Sequence, residues 1–123
     1  MLAAVMAAGA FGTLCRFFAL RWLTAICGEG FPAATMIVNV AGAFAAGLLL
    51  VAAGTKFDWF APFMPLAMVG FLGAFTTFST FALECAVLLQ NGMYGRALLN
   101  FSLQNFLGIA AALVGMRCAK MLA

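Results

Sequence analysis

The sequence predicts an all-α integral membrane protein of four transmembrane helices with the third one broken. Composition excludes the alternative of a soluble fold. Hydrophobic residues make up 67% of the chain and charged residues 7%, with a mean hydropathy of +1.18, and a water-soluble domain of that make-up would expose more apolar surface than water tolerates. Charge-free windows then locate the spans. Gly30 to Thr55, Trp59 to Leu83 and Ala97 to Met116 each reach the roughly 20 residues needed to cross ~30 Å of hydrocarbon as helix. A fourth apolar stretch opens the chain.

Taken in order, the first span covers about residues 2–26 and carries Arg16 and Arg21. It is unlike a cleaved signal peptide, because no basic segment precedes the apolar run and the small residues Ala8, Gly9 and Ala10 lie inside it. The second span covers about 32–53, the third about 59–90 and the fourth about 95–121. The turns between them, 27–31, 54–58 and 90–95, hold the glycine, acidic and amide residues that end helices. The whole chain reads as a single membrane domain.

Four spans in 123 residues leave no room for a soluble catalytic or nucleotide-binding domain, so function must reside within the helices. Enzyme chemistry is not expected. Histidine is absent, the acids are Glu29, Asp58 and Glu84, and no nucleophile–base or phosphate-loop pattern occurs. Cys15, Cys27, Cys85 and Cys118 form no C-x-x-C pair and read as small packing residues. The net charge of +3 reflects anchoring of loops rather than nucleic-acid binding.

Orientation is left undecided by charge. With the N-terminus inside, Lys56, Arg117 and Lys120 fall on one side and Arg21 and Arg96 on the other, with Arg16 too deep to count. A chain so evenly balanced is expected to insert both ways and to associate as an antiparallel homodimer; the alternative is one orientation set by a partner or by the first span. A second copy would also supply the wall that four helices lack around a polar route. Small residues four apart, Ala8 and Gly12, Gly42 and Ala46, Gly108 and Ala112, allow close helix approach.

The third span holds the anomaly. As one helix, Trp59 to Gln90 would be about 48 Å long, well beyond the bilayer core. An interruption is expected within Gly70–Thr77, where glycines and adjacent β-branched threonines weaken helix and the hydroxyls compete for backbone partners. The competing expectation is a straight helix whose threonines bond back to the preceding turn. A break would free carbonyls, which are cation ligands, and would expose the positive end of the following half-helix, which favours an anion. Just beyond it, Phe78 and Phe81 are three apart and share a face, with Ser79 and Thr80 between them. Their ring edges carry partial positive charge. Asn39, near the middle of the second span, has an NH₂ able to donate to an anion, and Asn100 and Gln104 face one way on the fourth span, with Ser102 and Asn105 beside them. The structural reading of each amide is a hydrogen bond between helices.

The run G-F-L-G-A-F-T-T-F-S-T-F at 70–81, followed by Glu84, resembles the signature of the small dual-topology fluoride channels, the Fluc or CrcB family. G-A-F-G-T-L-C-R-F at 9–17 and V-N-V-A-G at 38–42 resemble two further blocks of that family, so the likeness spans essentially the whole chain. The resemblance implies an antiparallel homodimer with two fluoride pores in the bacterial inner membrane, passive export conferring fluoride resistance, and partners limited to fluoride, sodium, lipid and a second copy.

By the same resemblance, Phe78 and Phe81 match the paired rings that contact fluoride, and Asn39 the pore asparagine of the second span. The backbone carbonyls of Gly73 and Thr76 match those that hold a central structural Na⁺. Ser79, Thr80 and Glu84 match polar positions after the break, and Arg16 an arginine with a structural or vestibule part. The fourth span departs from the pattern: Asn100, Gln104 and Gly108 stand where tyrosine and serine hydroxyls are common, and Phe17 replaces a common tyrosine. Two other classes stay open, a proton-coupled exporter of the small multidrug type, for which Glu84 is the one acid at membrane depth, and a non-transporting membrane subunit.

Overall fold

The computed structural model describes residues 1–55 and 58–122. Lys56, part of the charge balance, lies outside the described residues. Helix α1 (Leu2–Cys27) is followed by α2 (Ala33–Ala52), a 3₁₀ turn (Asp58–Phe63), a widened π-helical segment (Pro65–Leu72), the short α3 (Gly73–Phe75), α4 (Phe78–Gln90) and α5 (Tyr94–Leu122). Leu2–Cys27, Ala33–Ala52, Trp59–Gln90 and Tyr94–Leu122 are each long and apolar enough to cross a membrane. With that composition the chain is a multi-pass membrane protein.

The turns follow from local chemistry. Gly28 ends α1 at φ 78°, its N–H donating to the Thr24 carbonyl at 2.9 Å. Gly92, at φ 71°, ends α4 in a Schellman turn: its N–H donates to Leu89 O at 3.0 Å and that of Met93 to Leu88 O at 2.9 Å. A side-chain carbon is strained in this left-handed region, so glycine is the residue that fits. The Arg96 guanidinium donates to Gly30 O at 3.0 Å and ties the start of α5 to the α1–α2 turn.

Packing inverts the pattern of a soluble protein. Phe11, Phe18, Trp22, Phe106 and Leu113 are exposed, while the largest fully enclosed side chains are Val38 and Asn100. An apolar exterior around an amide is the arrangement that lipid allows and water does not. The helices meet by backbone contact at glycines. A Cβ at Gly47 would run into the Ala112 backbone, and one at Gly115 into the backbone of Phe44 and Leu48, so α2 and α5 touch directly. Gly12 seats α1 against the Phe71 backbone, Gly70 lies on Val5 and Ala8, and Gly42 faces the Thr76 side chain. Gly12 and Gly42 therefore serve contacts inside one chain, whereas Gly108 faces open space.

In the third span the α-helical bonding stops at Thr76 (φ −84°, ψ 160°) and Thr77 (φ −148°, ψ 108°), both extended. Thr76 does bond back to the preceding turn, its hydroxyl donating to Leu72 O at 2.9 Å, but the chain still leaves the helix there. The Thr77 hydroxyl caps α4, accepting from Thr80 N at 3.2 Å.

The α2–α5 contact yields a test. Gly47→Ala, which forces the two backbones apart, is expected to cost about 1–3 kcal/mol, the usual penalty of overpacking. Gly95→Ala, where a Cβ meets nothing within 4 Å, should be neutral or stabilising by up to ~1 kcal/mol. Reversible unfolding in mixed detergent measures both; equal stability of the two variants would refute the close contact.

Candidate functional site

The break occurs at mid-span, where each backbone group that loses its helical partner costs several kcal/mol unless another takes over. In a continuous helix the N–H of Thr77 would serve the Gly73 carbonyl. Here it donates instead to Asn39 Oδ1 at 2.8 Å, and Asn39 Nδ2 donates to Thr77 O at 3.1 Å. One side-chain amide thus pairs with both backbone groups of a single residue. In the same way the N–H of Thr80, which would serve Thr76 O, is taken by the Thr77 hydroxyl.

These substitutions release the carbonyls of Gly73 and Thr76 from helical bonding. Gly73 is exposed, and the polar contact that reaches Thr76 O is a long one, 3.4 Å from Arg16 Nη1. Such oxygens, at the negative end of the first half-helix, have the donor chemistry of a hard monovalent cation. No group of three or more His, Cys, Asp or Glu that could hold a metal ion occurs among the described residues.

A line of amides runs from the break into the bundle. Asn39 Nδ2 donates to Gln104 Oε1 at 2.8 Å, Gln104 Nε2 to Asn100 Oδ1 at 3.0 Å, and Asn100 Nδ2 to Cys85 Sγ at 3.4 Å. The sequence placed Asn100 and Gln104 on one face of the last span; it gave no sign that Cys85 ends the line or that Asn39 begins it.

A cleft of about 430 Å³ opens beside the break, lined by Asn39, Gly73, Thr76, Phe78, Phe81, Gln104, Asn105 and Gly108 among others, with no charged residue in its lining. Phe78 and Phe81 stand edge to face, ring centroids 5.8 Å apart at 62°, but their surroundings differ: Phe81 is 8% exposed and Phe78 78%. Phe81 is fixed further by Phe101, 6.3 Å away.

The remaining candidates lie elsewhere. Asn100 is enclosed and is not part of this cleft's lining, and Ser79 is exposed outside it. Thr80 and Glu84 line a second cleft of about 500 Å³ near the α1–α2 turn, with Thr24, Glu29 and Thr35. The Thr35 hydroxyl donates to Glu84 Oε1 at 2.5 Å, while Glu84 Oε2 is buried without a protein partner among the described residues. Thr35, missed from sequence, carried no signal beyond being a hydroxyl in an apolar span.

Comparison with known proteins agrees with the motifs. Residues 3–116 match the family described as CrcB-like protein, Camphor Resistance (CrcB). The fluoride-specific ion channel FluC of Aeromonas salmonicida is 43% identical over 115 residues, 92% of this chain and 90% of that protein. The FluC of Vibrio vulnificus is 39% identical over 112 residues, 91% of this chain and 89% of that protein. The FluC of Methylococcus capsulatus is 41% identical over 120 residues; the match takes in 98% of this chain but 53% of that longer relative. On a match that runs nearly end to end, together with relatives of this identity across most of their own length, the chain belongs to the CrcB family.

Proposed function

We propose that the chain is a channel, not an enzyme, that exports fluoride passively across the bacterial inner membrane. The observation that carries this reading is the uncharged cleft at the helix break, bordered by Asn39, Gln104, Asn105 and the rings of Phe78 and Phe81. Fluoride is small and strongly hydrated, so a selective path must replace its water with close donors and must not hold it in one deep site. Neutral donors and ring edges meet both demands, since a buried Lys or Arg would bind the ion too firmly to release it. Relatives named fluoride-specific ion channels support the choice of ion.

In this reading Phe78, Phe81 and the amides of Asn39 and Gln104 border the ion path, with Asn100 behind them. Ser79 and Thr80 follow at the start of α4, whose positive end favours an anion. Thr80 and Glu84 mark a vestibule at the second cleft, and Arg16 steadies the break through Thr76 O. The working unit is an antiparallel homodimer of dual topology with two pores. Two features support it: the near-even distribution of cations, and an uncharged cleft with an exposed Phe78 that one chain leaves uncovered. A sodium ion at the centre would be held by the carbonyls of Gly73 and Thr76, contributed by both copies, and would supply positive charge that keeps the two breaks together.

Liposomes loaded with fluoride test the function. Efflux driven by voltage, with no pH gradient required, is expected; obligatory proton movement would favour the exporter, and no flux would favour the non-transporting subunit. Phe78→Ile and Phe81→Ile keep bulk but remove the ring edge. Each should lower fluoride flux at least about tenfold, with the assembly unchanged by size-exclusion chromatography. Full activity in both variants would overturn the aromatic contact. Removing sodium from the purified protein should abolish flux and restoring it should recover flux, whereas activity indifferent to sodium would remove the central ion from this scheme.

A further inference from the structure

An aromatic ring addresses an anion through its orientation as much as through its position. The quadrupole is negative over the face and positive at the edge, so a quarter turn of the ring converts attraction of an anion into repulsion. The plane must therefore be held. Phenylalanine does not hold it unaided, because its χ2 torsion is broad and two-fold, and neighbouring groups decide where the ring settles.

Phe78 and Phe81 differ in this respect. Phe78 is exposed and has Phe81 as its ring partner, whereas Phe81 is buried and meets a second ring, Phe101 of α5, with the planes 26° apart and the centroids at 6.3 Å. That is an offset stack. Phe101 thus joins the two rings at the start of α4 to the helix beside them, yet it is not part of the cleft's lining. Its ring is 56% exposed, but the backbone that carries it is anchored, since the adjacent Asn100 is fully enclosed and Asn105 Nδ2 donates to Phe101 O at 2.6 Å. A ring on a fixed base is suited to holding another.

We propose that Phe101 is a positioning residue of the ion path: it stacks on Phe81 and holds that plane so that an edge, and not a face, meets the permeating anion. This rests on the channel reading and extends it to a residue outside the cleft. Phe101 acts through Phe81 and touches no ion itself.

The test is fluoride efflux from liposomes containing the full-length protein. Phe101→Leu and Phe101→Met keep apolar bulk at an exposed site but remove the ring, and each should lower efflux about three- to tenfold, the worth of one aromatic pair. Phe101→Trp retains a π face to stack and should keep efflux within twofold of wild type. Assembly by size-exclusion chromatography should be unchanged in all three. Phe81→Ile removes the ring that Phe101 holds, so adding Phe101→Leu to it should lower efflux no further. A general packing role would give a second, independent loss instead.

Efflux within twofold of wild type in both Phe101→Leu and Phe101→Met would overturn the assignment. So would a full additional loss in the double variant, or a Phe101→Trp no better than Phe101→Leu. Wild-type liposomes that pass no fluoride would instead overturn the channel reading on which it stands.

Discussion

A helix cannot end inside hydrocarbon unless other groups take over the hydrogen bonds it gives up, and at Thr77 the amide of Asn39 accepts the orphaned N–H while donating to the carbonyl that begins α4. Each such bond is worth only about 1 kcal/mol net, but the penalty avoided is larger, because water does not reach this depth to solvate a bare peptide group. An aliphatic side chain at position 39 would leave the Thr77 N–H unpaired and favour closure of the third span into a continuous helix. The extended Thr76–Thr77 link, the release of the Gly73 and Thr76 carbonyls from helical bonding, and the cleft beside them all depend on that one pairing.

The pairing depends in turn on how closely α2 and α5 approach. Gly47 lies against Ala112, and eight residues earlier on each helix Asn39 bonds Gln104. Eight residues are about 12 Å of helix, so the backbone contact at one level fixes the spacing at the other. Glycine at 47 and 115 is therefore a requirement of the polar line two turns away, because a wider gap would stretch a 2.8 Å bond past useful length. Gly12 and Gly70 do the same for the first half of the third span against α1. The polar centre is held in place by small residues on each side of it.

Much of this was legible in the sequence, for identifiable reasons. The four spans follow from hydropathy and length, since lipid imposes one length scale on every helix. The region of the break could be read because paired threonines after Gly-Ala-Phe weaken helix locally, and local propensity acts over a few residues. The partners of the break could not be read so directly. Asn39 and Thr77 are 38 apart in sequence, and nothing in either segment announces a bond between them. Small residues occur throughout the chain, so spacing singled out Gly42 and Gly108 but passed over Gly47 and Gly115, whose importance is set by a crossing point. Arg16 could be assigned a depth from sequence, but its contact with Thr76 O is again a product of packing.

In the proposed channel the break would let a cleft lined by uncharged residues address ions of either sign. Interrupting one helix produces two ends at the same depth: a carbonyl end at Gly73 and Thr76, and an N–H end at the start of α4. Their partial charges are opposite and amount to about half an elementary charge each. Arg16 approaches the carbonyl end through Thr76 O but is not among the residues that line the cleft. The cleft lining is neutral, so an anion there would meet partial charges from it alone. Partial charges in a low-dielectric setting are strong enough to replace water yet weaker than a fixed cation, which is the balance that passage requires of a small, tightly hydrated ion. In the proposed channel the absence of charge from Trp59 to Leu83 is thus a condition of throughput as much as of membrane insertion.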